Sequence, residues 1–237
     1  MTEQHYLTPL FEPRSVAIIG ATERENSLGN VLVRNMLEAG FKGKLFAVNP
    51  KYDQVFGVPC YKSVEDIPQR LDLVVITTKA DRVPAIVDAC GRAGTKAAVV
   101  IPSGFADAGP RGKMLEKNTV ENARRHRIRL LGPNCLGVLR PELGLNASFA
   151  RGGAIKGSIG LISQSGALCS AILDWARPNN VGFSSVISLG TSVDVDFGEA
   201  LEYMVSDSRA ESMFLYVEGI KDARRFVSAL RAAARVK

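Results

Sequence analysis

Apolar residues in the first half of the chain recur in short runs, with helical segments between them. Val31–Leu37, and the segment that begins at Asp81, place apolar side chains at helical spacing. Several of the runs are continuously apolar, which is typical of strands covered on both faces. Strands that alternate with helices predict a doubly wound parallel sheet, so the fold class is α/β. The predicted strands are Ser15–Ile19, Lys44–Val48, Leu71–Ile76, Ala97–Ile101 and Arg129–Leu131.

A second series of the same kind follows an irregular segment. Pro141–Lys156 contains prolines and glycines and has little periodicity, so we place a domain boundary there, with domains at 1–142 and 154–237. The second series has three predicted strands, and a parallel sheet of about that size is thin for independent stability. We therefore expect the second domain to be C-terminally incomplete and the chain to be a fragment. The strands are Ile159–Ile162, Phe183–Ser188 and Met213–Val217.

The overall charge is mildly basic, with a net charge of +6 at pH 7. The basic residues are dispersed, and their densest cluster, Arg124–Arg129, is typical of a helix end before a strand. Hydrophobic residues make up 46% of the chain, as in ordinary soluble proteins. Binding of an anionic cofactor accounts for the excess of positive charge at least as well as binding of nucleic acid. We do not expect nucleic acid as a partner.

The cysteines give no sign of a metal site or a disulfide framework. Cys60, Cys90, Cys135 and Cys169 lack the spacing of metal ligands. Reduced thiols are typical of the cytosol. Apolar runs are too short to span a membrane, and no secretory signal pattern is present. We expect a cytoplasmic protein with no bound metal and no membrane partner.

Two loops have the composition of phosphate-binding turns. The apolar run that ends at Ile162 leads into Ser163, Gln164, Ser165 and Gly166, and a helix follows. Such a loop directs backbone N–H groups and the positive end of the helix dipole at an anion. Gly20-Ala21-Thr22 forms a similar turn near the start of the chain. Because Thr22 replaces the second glycine of GxGxxG, NAD, CoA, another nucleotide or no ligand all remain compatible with this turn.

The other strand ends lie where open α/β sheets bind ligands. A classical NAD site favours an acidic residue after the second strand. Here that place reads Asn49-Pro50-Lys51, and a lysine suits a phosphate better than a bare ribose. The remaining strand ends are Thr77-Thr78-Lys79, Pro102-Ser103-Gly104-Phe105 and Pro133-Asn134-Cys135.

These motifs, in this order, carry a resemblance to a known family. Together with Val16–Ala21, Gly132–Gly137 and Tyr216–Gly219, they resemble the NDP-forming acyl-CoA synthetases, relatives of the succinyl-CoA synthetase α subunit. The likeness spans essentially the whole chain. Leu145–Phe149 and Leu173–Ala176 further resemble a branch of long bacterial proteins that append a GNAT-type domain and acetylate protein lysines.

The resemblance implies a Rossmann-like CoA-binding domain followed by a truncated, flavodoxin-like domain of the succinyl-CoA synthetase type. It implies that Ser163–Gly166 holds a phosphate or phosphohistidine and that Glu218, the catalytic candidate, orients the histidine. CoA or acyl-CoA would bind the first domain, with the turn on its phosphates and Lys51 at its nucleotide end. The cofactor-binding residues are then Gly20, Ala21, Thr22, Asn49, Lys51, Thr77, Thr78, Pro102, Ser103, Gly104, Asn134 and Cys135.

One departure from the family pattern concerns histidine. The chain has only His5 and His126, and neither matches the phosphorylated histidine of the family. We expect ATP, ADP and Mg²⁺ to bind an ATP-grasp region elsewhere, in the same polypeptide or a separate subunit, so the chain alone should be inactive. The implied reaction converts acyl-CoA, phosphate and ADP to acid, CoA and ATP through an acyl phosphate and a phosphohistidine.

Alternative functions stay open from the sequence alone. The first is a ligand-sensing region of a GNAT-fused lysine acetyltransferase, and the second is an NAD-binding redox enzyme or sensor. The sequence identifies neither the acyl group nor the oligomeric state, and a homo-oligomer remains open.

Overall fold

A computed structural model describes residues 5–237. The first domain is built on a seven-stranded sheet of order β3-β4-β2-β1-β5-β6-β7. All neighbouring strands are parallel except β3, which runs antiparallel to β4. The strands are β1 (Ser15–Ile19), β2 (Lys44–Val48), β3 (Gln54–Val55), β4 (Val58–Tyr61), β5 (Leu73–Ile76), β6 (Ala97–Val100) and β7 (Arg129–Leu131).

Helices cover both faces of this sheet. On β1, Val16 and Ile18 belong to one core cluster, while Ala17 and Ile19 belong to another, as expected when successive side chains point to opposite faces. The first cluster includes residues of α1 and α2, and the second includes residues of α3 and α4. The doubly wound arrangement predicted from the apolar runs is therefore present. The helices are α1 (Thr8–Phe11), α2 (Leu28–Glu38), α3 (Val83–Arg92) and α4 (Pro110–His126).

The second domain has a five-stranded mixed sheet of order β12-β10-β11-β8-β9. Strand β10 lies between β12 and β11 and is parallel to both, whereas β8 runs antiparallel to β11 and β9. The strands are β8 (Gly137–Arg140), β9 (Leu145–Ser148), β10 (Lys156–Ser163), β11 (Phe183–Ser188) and β12 (Ser212–Tyr216). The helices are α5 (Gly166–Ala176), α6 (Phe197–Val205) and α7 (Ala223–Ala233).

The structure differs from the sequence prediction between the two domains. Leu145–Ser148 is a buried strand within the segment predicted to be an irregular linker, and β8 belongs to the second sheet although it precedes residue 142. The predicted sheet of three parallel strands therefore gains an antiparallel edge. The sequence does not reveal β9 because two of its four side chains are polar. Inside the fold these two side chains bond to each other, since Ser148 Oγ donates to Asn146 Oδ1. The second sheet therefore begins at Gly137, whereas the predicted boundary lies between residues 142 and 154.

The two domains pack through polar contacts as well as a shared core. Arg129 of β7 donates to both carboxylate oxygens of Asp194, at 2.9 and 3.1 Å, and to Glu199 at 2.8 Å. The buried residues Leu10 and Phe11 belong to a core cluster that reaches both sheets. This packing holds the carboxyl ends of the strands of both sheets around one cleft. Within residues 5–237, none of the helices has the length and apolar character needed to cross a membrane.

Candidate functional site

The turn between β1 and α2 brings a helix N-terminus close to the sheet edge. Gly20 adopts φ 93°, a left-handed value that glycine tolerates best. A Cβ atom at Gly29 would lie 2.0 Å from the Gly20 carbonyl oxygen, so only glycine permits this approach of helix to turn. Ser27 caps the helix by accepting the N–H of Asn30. The turn can thus receive an anion at the positive end of α2.

A cleft of about 770 Å³ opens beside this turn. Of the sequence candidates, Gly20, Thr22, Asn49, Lys51 and Thr78 line it. Four cationic side chains and one carboxylate also lie on its walls, which gives the cleft a positive balance suited to a polyphosphate. These side chains are Arg24, Lys51, Lys62, Arg82 and Asp81.

Asn49 organises this cleft through hydrogen bonds to the backbone. Its Nδ2 donates to the Ala21 carbonyl at 2.8 Å, and its Oδ1 accepts the N–H of Lys51 at 3.0 Å. Ala21 itself is fully buried and does not reach the cleft surface. Ala21 therefore contributes through its carbonyl, which joins the first turn to the loop after β2.

Sequence reasoning missed the basic residues Arg24, Lys62 and Arg82. Lys62 follows β4, a four-residue strand that the apolar pattern did not reveal. Arg24 and Arg82 lie a few positions after the predicted strands β1 and β5. Their closeness in sequence to these strand ends was the one feature that could have marked them as site residues. Single basic residues in loops are otherwise typical of ordinary surfaces.

A second cleft of about 820 Å³ lies between the two domains. Its walls unite strand ends of the first domain with the α5 loop of the second. Thr78 lines both clefts, so the two clefts adjoin at this residue along the sheet edge. The sequence candidates on its walls are Thr77, Thr78, Pro102, Ser103, Asn134, Cys135, Gln164, Ser165, Gly166 and Glu218.

Two of the candidate site residues, Ser163 and Gly104, lie beneath the cleft surface and do not line it. Ser163 is fully buried, and its Oγ donates to the Ser165 carbonyl and accepts the Ser165 N–H, both at 3.0 Å. Gly104 adopts φ 97° and does not line either cleft. Their geometry supports a role in shaping the loops rather than in touching a ligand.

The N-terminus of α5 presents free backbone donors to the second cleft. Ser165 caps the helix by accepting the N–H of Leu168 at 3.2 Å. The N–H groups of Gly166 and Ala167 have no hydrogen-bond acceptor among residues 5–237, as expected for the first turn of a helix. Both residues line the cleft. Two free amides at the positive end of a helix form a suitable site for a phosphate.

Gln164 connects the α5 loop to the loop after β12. Its Oε1 accepts the N–H of Glu218 at 2.7 Å and that of Gly219 at 3.0 Å, while its Nε2 donates to the Gly219 carbonyl at 3.0 Å. With these contacts the amide positions Glu218, whose exposed carboxylate lies on the same cleft as Gly166. The Glu218 side chain is thus accessible from the cleft.

Cys135 lies at the cleft but lacks the properties of a nucleophile. Burial raises the pKa of its thiol to about 12, so the thiol stays protonated at neutral pH. Its Sγ lies 3.4 Å from the Val100 carbonyl oxygen. Residues 5–237 contain no group of three or more His, Cys, Asp or Glu side chains arranged to hold a metal ion.

Comparison with protein families assigns both domains. The model of the CoA binding domain matches residues 14–141, which is more than half of the chain. The chain belongs to the family of CoA-binding domains. The model of the succinyl-CoA ligase like flavodoxin domain matches residues 156–237. These matches confirm the α/β fold class, with a Rossmann-like CoA-binding domain followed by a flavodoxin-like domain.

Known proteins extend the likeness. The chain is 43% identical over 228 residues to acetate–CoA ligase [ADP-forming] I of Archaeoglobus fulgidus, covering 96% of this chain and 33% of that protein. It is 38% identical over 237 residues to the α subunit of acetate–CoA ligase [ADP-forming] I of Pyrococcus furiosus, covering 98% of this chain and 51% of that subunit. The resemblance to the NDP-forming acyl-CoA synthetases is thereby confirmed.

A solved structure shares the same fold. Dinucleotide forming acetyl-coenzyme A synthetase 1 of Ca. Korarchaeum cryptofilum, in complex with phosphate and ADP, superposes with a TM-score of 0.94 at 36% identity. The superposition covers 98% of this chain and 50% of that one. The chain thus spans between about a third and a half of the length of these relatives.

Proposed function

We propose that this chain is the CoA- and acyl-CoA-binding N-terminal part of an ADP-forming acyl-CoA synthetase. The observation that carries the proposal is that the two clefts adjoin at Thr78, which offers a path along the sheet edge. This path joins the cationic cleft at Lys51 to the free amides of Gly166 through Thr78. An extended ligand with phosphates at one end and a reacting group at the other fits such a path.

The residues present fit CoA. Thr78 Oγ1 is buried where the two clefts meet and has no hydrogen-bond partner among residues 5–237, so a ligand that passes this point can satisfy it. The absence of a side chain at Gly29 lets the α2 N-terminus reach the diphosphate. Lys51 and its basic neighbours then face the nucleotide end, while Pro102 and Ser103 flank the pantetheine arm. Asn134 lies at the thiol end.

The chemistry that we propose requires donors for negative charge at the second cleft. Phosphate would attack the acyl carbon of the acyl-CoA thioester, and the CoA thiolate would leave as the acyl phosphate forms. The amides of Gly166 and Ala167 would hold the attacking phosphate, as preorganised donors do for developing charge. Glu218 would orient the histidine that accepts the phosphoryl group next, before ADP takes it.

That histidine and the site for ATP, ADP and Mg²⁺ would come from an ATP-grasp-bearing part in the same polypeptide or in a separate subunit. Within the described chain, neither His5 nor His126 lines the clefts. His126 Nε2 instead lies 2.8 Å from Asp88 Oδ1 on the first domain. The relatives reported above, all ADP-forming or acetyl-CoA-forming synthetases, favour this function over the ligand-sensing and NAD alternatives.

The test is ATP formation by the protein together with its ATP-grasp part. Acetyl-CoA, phosphate, ADP and Mg²⁺ should yield ATP in a luciferase assay, and omission of either acetyl-CoA or phosphate should abolish it. A protein that only senses acyl-CoA would bind it without producing ATP. ATP formation that fails with acetyl-CoA and with longer acyl-CoAs would contradict the synthetase function.

Lys51→Ala should weaken CoA binding mainly at low salt. An exposed lysine contributes about 0.2–1 kcal/mol to a charge pair, and the Debye length falls to about 3 Å at 1 M salt. We therefore expect a roughly two- to fivefold loss of affinity at low salt that disappears at 1 M, measured by calorimetry. Lys44→Ala is the matched control, because Lys44 is exposed at the opposite end of β2. Equal losses in both variants would show that Lys51 makes no specific contact.

A further inference from the structure

The apolar wall beside the α5 loop has no role in the contacts described above. Leu136 and Phe149 line the second cleft together with Asn134 and Gly166. The ideal Cβ position at Gly166 is 3.3 Å from the backbone nitrogen of Leu136, so this wall directly adjoins the proposed phosphate site. Leu136 and Phe149 are therefore well placed to contact the acyl group, because they lie beside the proposed site of the attacking phosphate.

Three hydrogen bonds fix the backbone around Phe149. Its own N–H donates to the Leu136 carbonyl at 3.2 Å. The buried Asn35 amide donates to the carbonyls on either side, those of Ser148 at 2.8 Å and Ala150 at 2.9 Å. The ring packs against both core clusters that meet at the domain boundary. Phe149 therefore forms a fixed wall rather than an adaptable one.

Asn35 also connects this wall to the cofactor end of the molecule. It lies on α2, whose first residue, Leu28, lines the same cleft and whose N-terminus adjoins Gly20-Ala21-Thr22, the turn proposed to hold the CoA diphosphate. A single rigid helix thus sets the distance between the diphosphate turn and the segment that carries Phe149.

We propose that Phe149, positioned by Asn35, limits the length of the acyl chain that the cleft accepts. This inference rests on the proposed function and names the substrate class of the same site: short, uncharged acyl groups. Lys79 and Glu218 are the charged side chains on this cleft within residues 5–237, and neither belongs to the apolar wall. The acyl group of a dicarboxylic acid carries a free carboxylate, and the wall of Leu136 and Phe149 offers that carboxylate no charged partner. Burial of an unpaired charge is costly.

The test compares the affinities of CoA, acetyl-CoA and hexanoyl-CoA for the 237-residue chain and its variants by calorimetry. Phe149→Ala removes the ring and leaves room for a longer chain. We expect the affinity for hexanoyl-CoA relative to acetyl-CoA to rise roughly tenfold, at the low end of what a change of chain size in an apolar pocket produces. CoA affinity should stay unchanged. Phe149→Leu should give a smaller rise and provides the same test if the alanine variant unfolds.

Asn35→Asp tests the positioning role, because it keeps the side-chain shape and removes the two donors. Discrimination against hexanoyl-CoA should relax while CoA affinity stays constant, which a merely structural defect would not produce. Trp175→Ala, at a 61% exposed position on α5, is the control and should change no affinity.

The outcomes separate the two proposals. Unchanged acyl-chain preference in both Phe149 variants, with normal CoA binding, would overturn the role of Phe149 and leave the proposed function intact. Absence of CoA binding to the unaltered chain would contradict the proposed function itself.

Discussion

Gly29→Ala should weaken CoA binding about 10- to 100-fold. The added Cβ would lie 2.0 Å from the Gly20 carbonyl oxygen and 2.9 Å from its carbonyl carbon, so α2 or the turn must move. That movement would withdraw the α2 amides from the proposed diphosphate site, and each hydrogen bond to a charged group contributes roughly 1.5–3 kcal/mol. Calorimetry with CoA on the folded variant measures the loss.

Gly157→Ala is the matched control for this glycine. Its Cβ would lie 2.4 Å from the Gly182 carbonyl carbon, which is again a backbone clash. Gly157 lies near the start of β10, at the end of the strand opposite the α5 loop. We expect this variant to lose stability and to keep its CoA affinity. A parallel loss of affinity in both variants would show that backbone clashes act only through general destabilisation.

Asp207→Ala should lower the free energy of unfolding by about 3–5 kcal/mol, because it leaves the Arg140 guanidinium buried without its main partner. The Arg140 and Asp207 side chains are 1% and 2% exposed and form an ion pair. For a chain of this size the loss corresponds to a fall of roughly 6–20 °C in Tm, measured by thermal unfolding. Arg140 also contacts the Tyr203 hydroxyl at 3.4 Å and Glu12 at 3.6 Å, both longer than its 2.5 Å contact with Asp207.

The exposed pair of Lys156 and Glu142 is the control for this prediction. Their side chains are 65% and 56% exposed, so Glu142→Ala should change stability by less than about 1 kcal/mol. A similar effect of both substitutions would contradict the importance of burial.

The same carboxylate predicts an acid-sensitive contribution to stability. Burial alone would raise the pKa of Asp207, but the hydrogen bond from Arg209 and the charge of Arg140 together lower the pKa below its usual value. Since the folded-state pKa is depressed, the contribution is fully present above the usual pKa of about 4. It is lost as the pH falls through the folded-state value.

Five strands of the first sheet were predictable from their apolar runs, whereas the short strands β3 and β4 were not. Leu73–Ile76 and Ala97–Val100 are buried throughout, so their sequence shows no polar alternation. Leu145–Ser148 is equally buried, yet its polar residues are satisfied by partners that only the fold brings together. A strand stabilised by such contacts cannot be read from hydrophobicity alone.

In the candidate site, too, some features were predictable from local sequence and others arise only from the fold. Strand ends such as Asn134 and loops such as Ser165-Gly166 were predictable, because parallel sheets collect their carboxyl ends at one edge. The contact between Gln164 and Glu218 joins residues that are 54 positions apart, and no local pattern reveals it. The assigned roles of these residues stay predictions until ligand binding is measured.

The central claim, that the first domain binds CoA, is tested most directly by calorimetry on the 237-residue chain with CoA, dephospho-CoA and NAD. We expect CoA to bind one site per chain with a Kd on the order of micromolar, which is typical of a preformed cofactor cleft. Dephospho-CoA should bind more weakly, because it lacks a phosphate for the basic residues around Lys51. Tight binding of NAD with no heat from CoA would contradict the account.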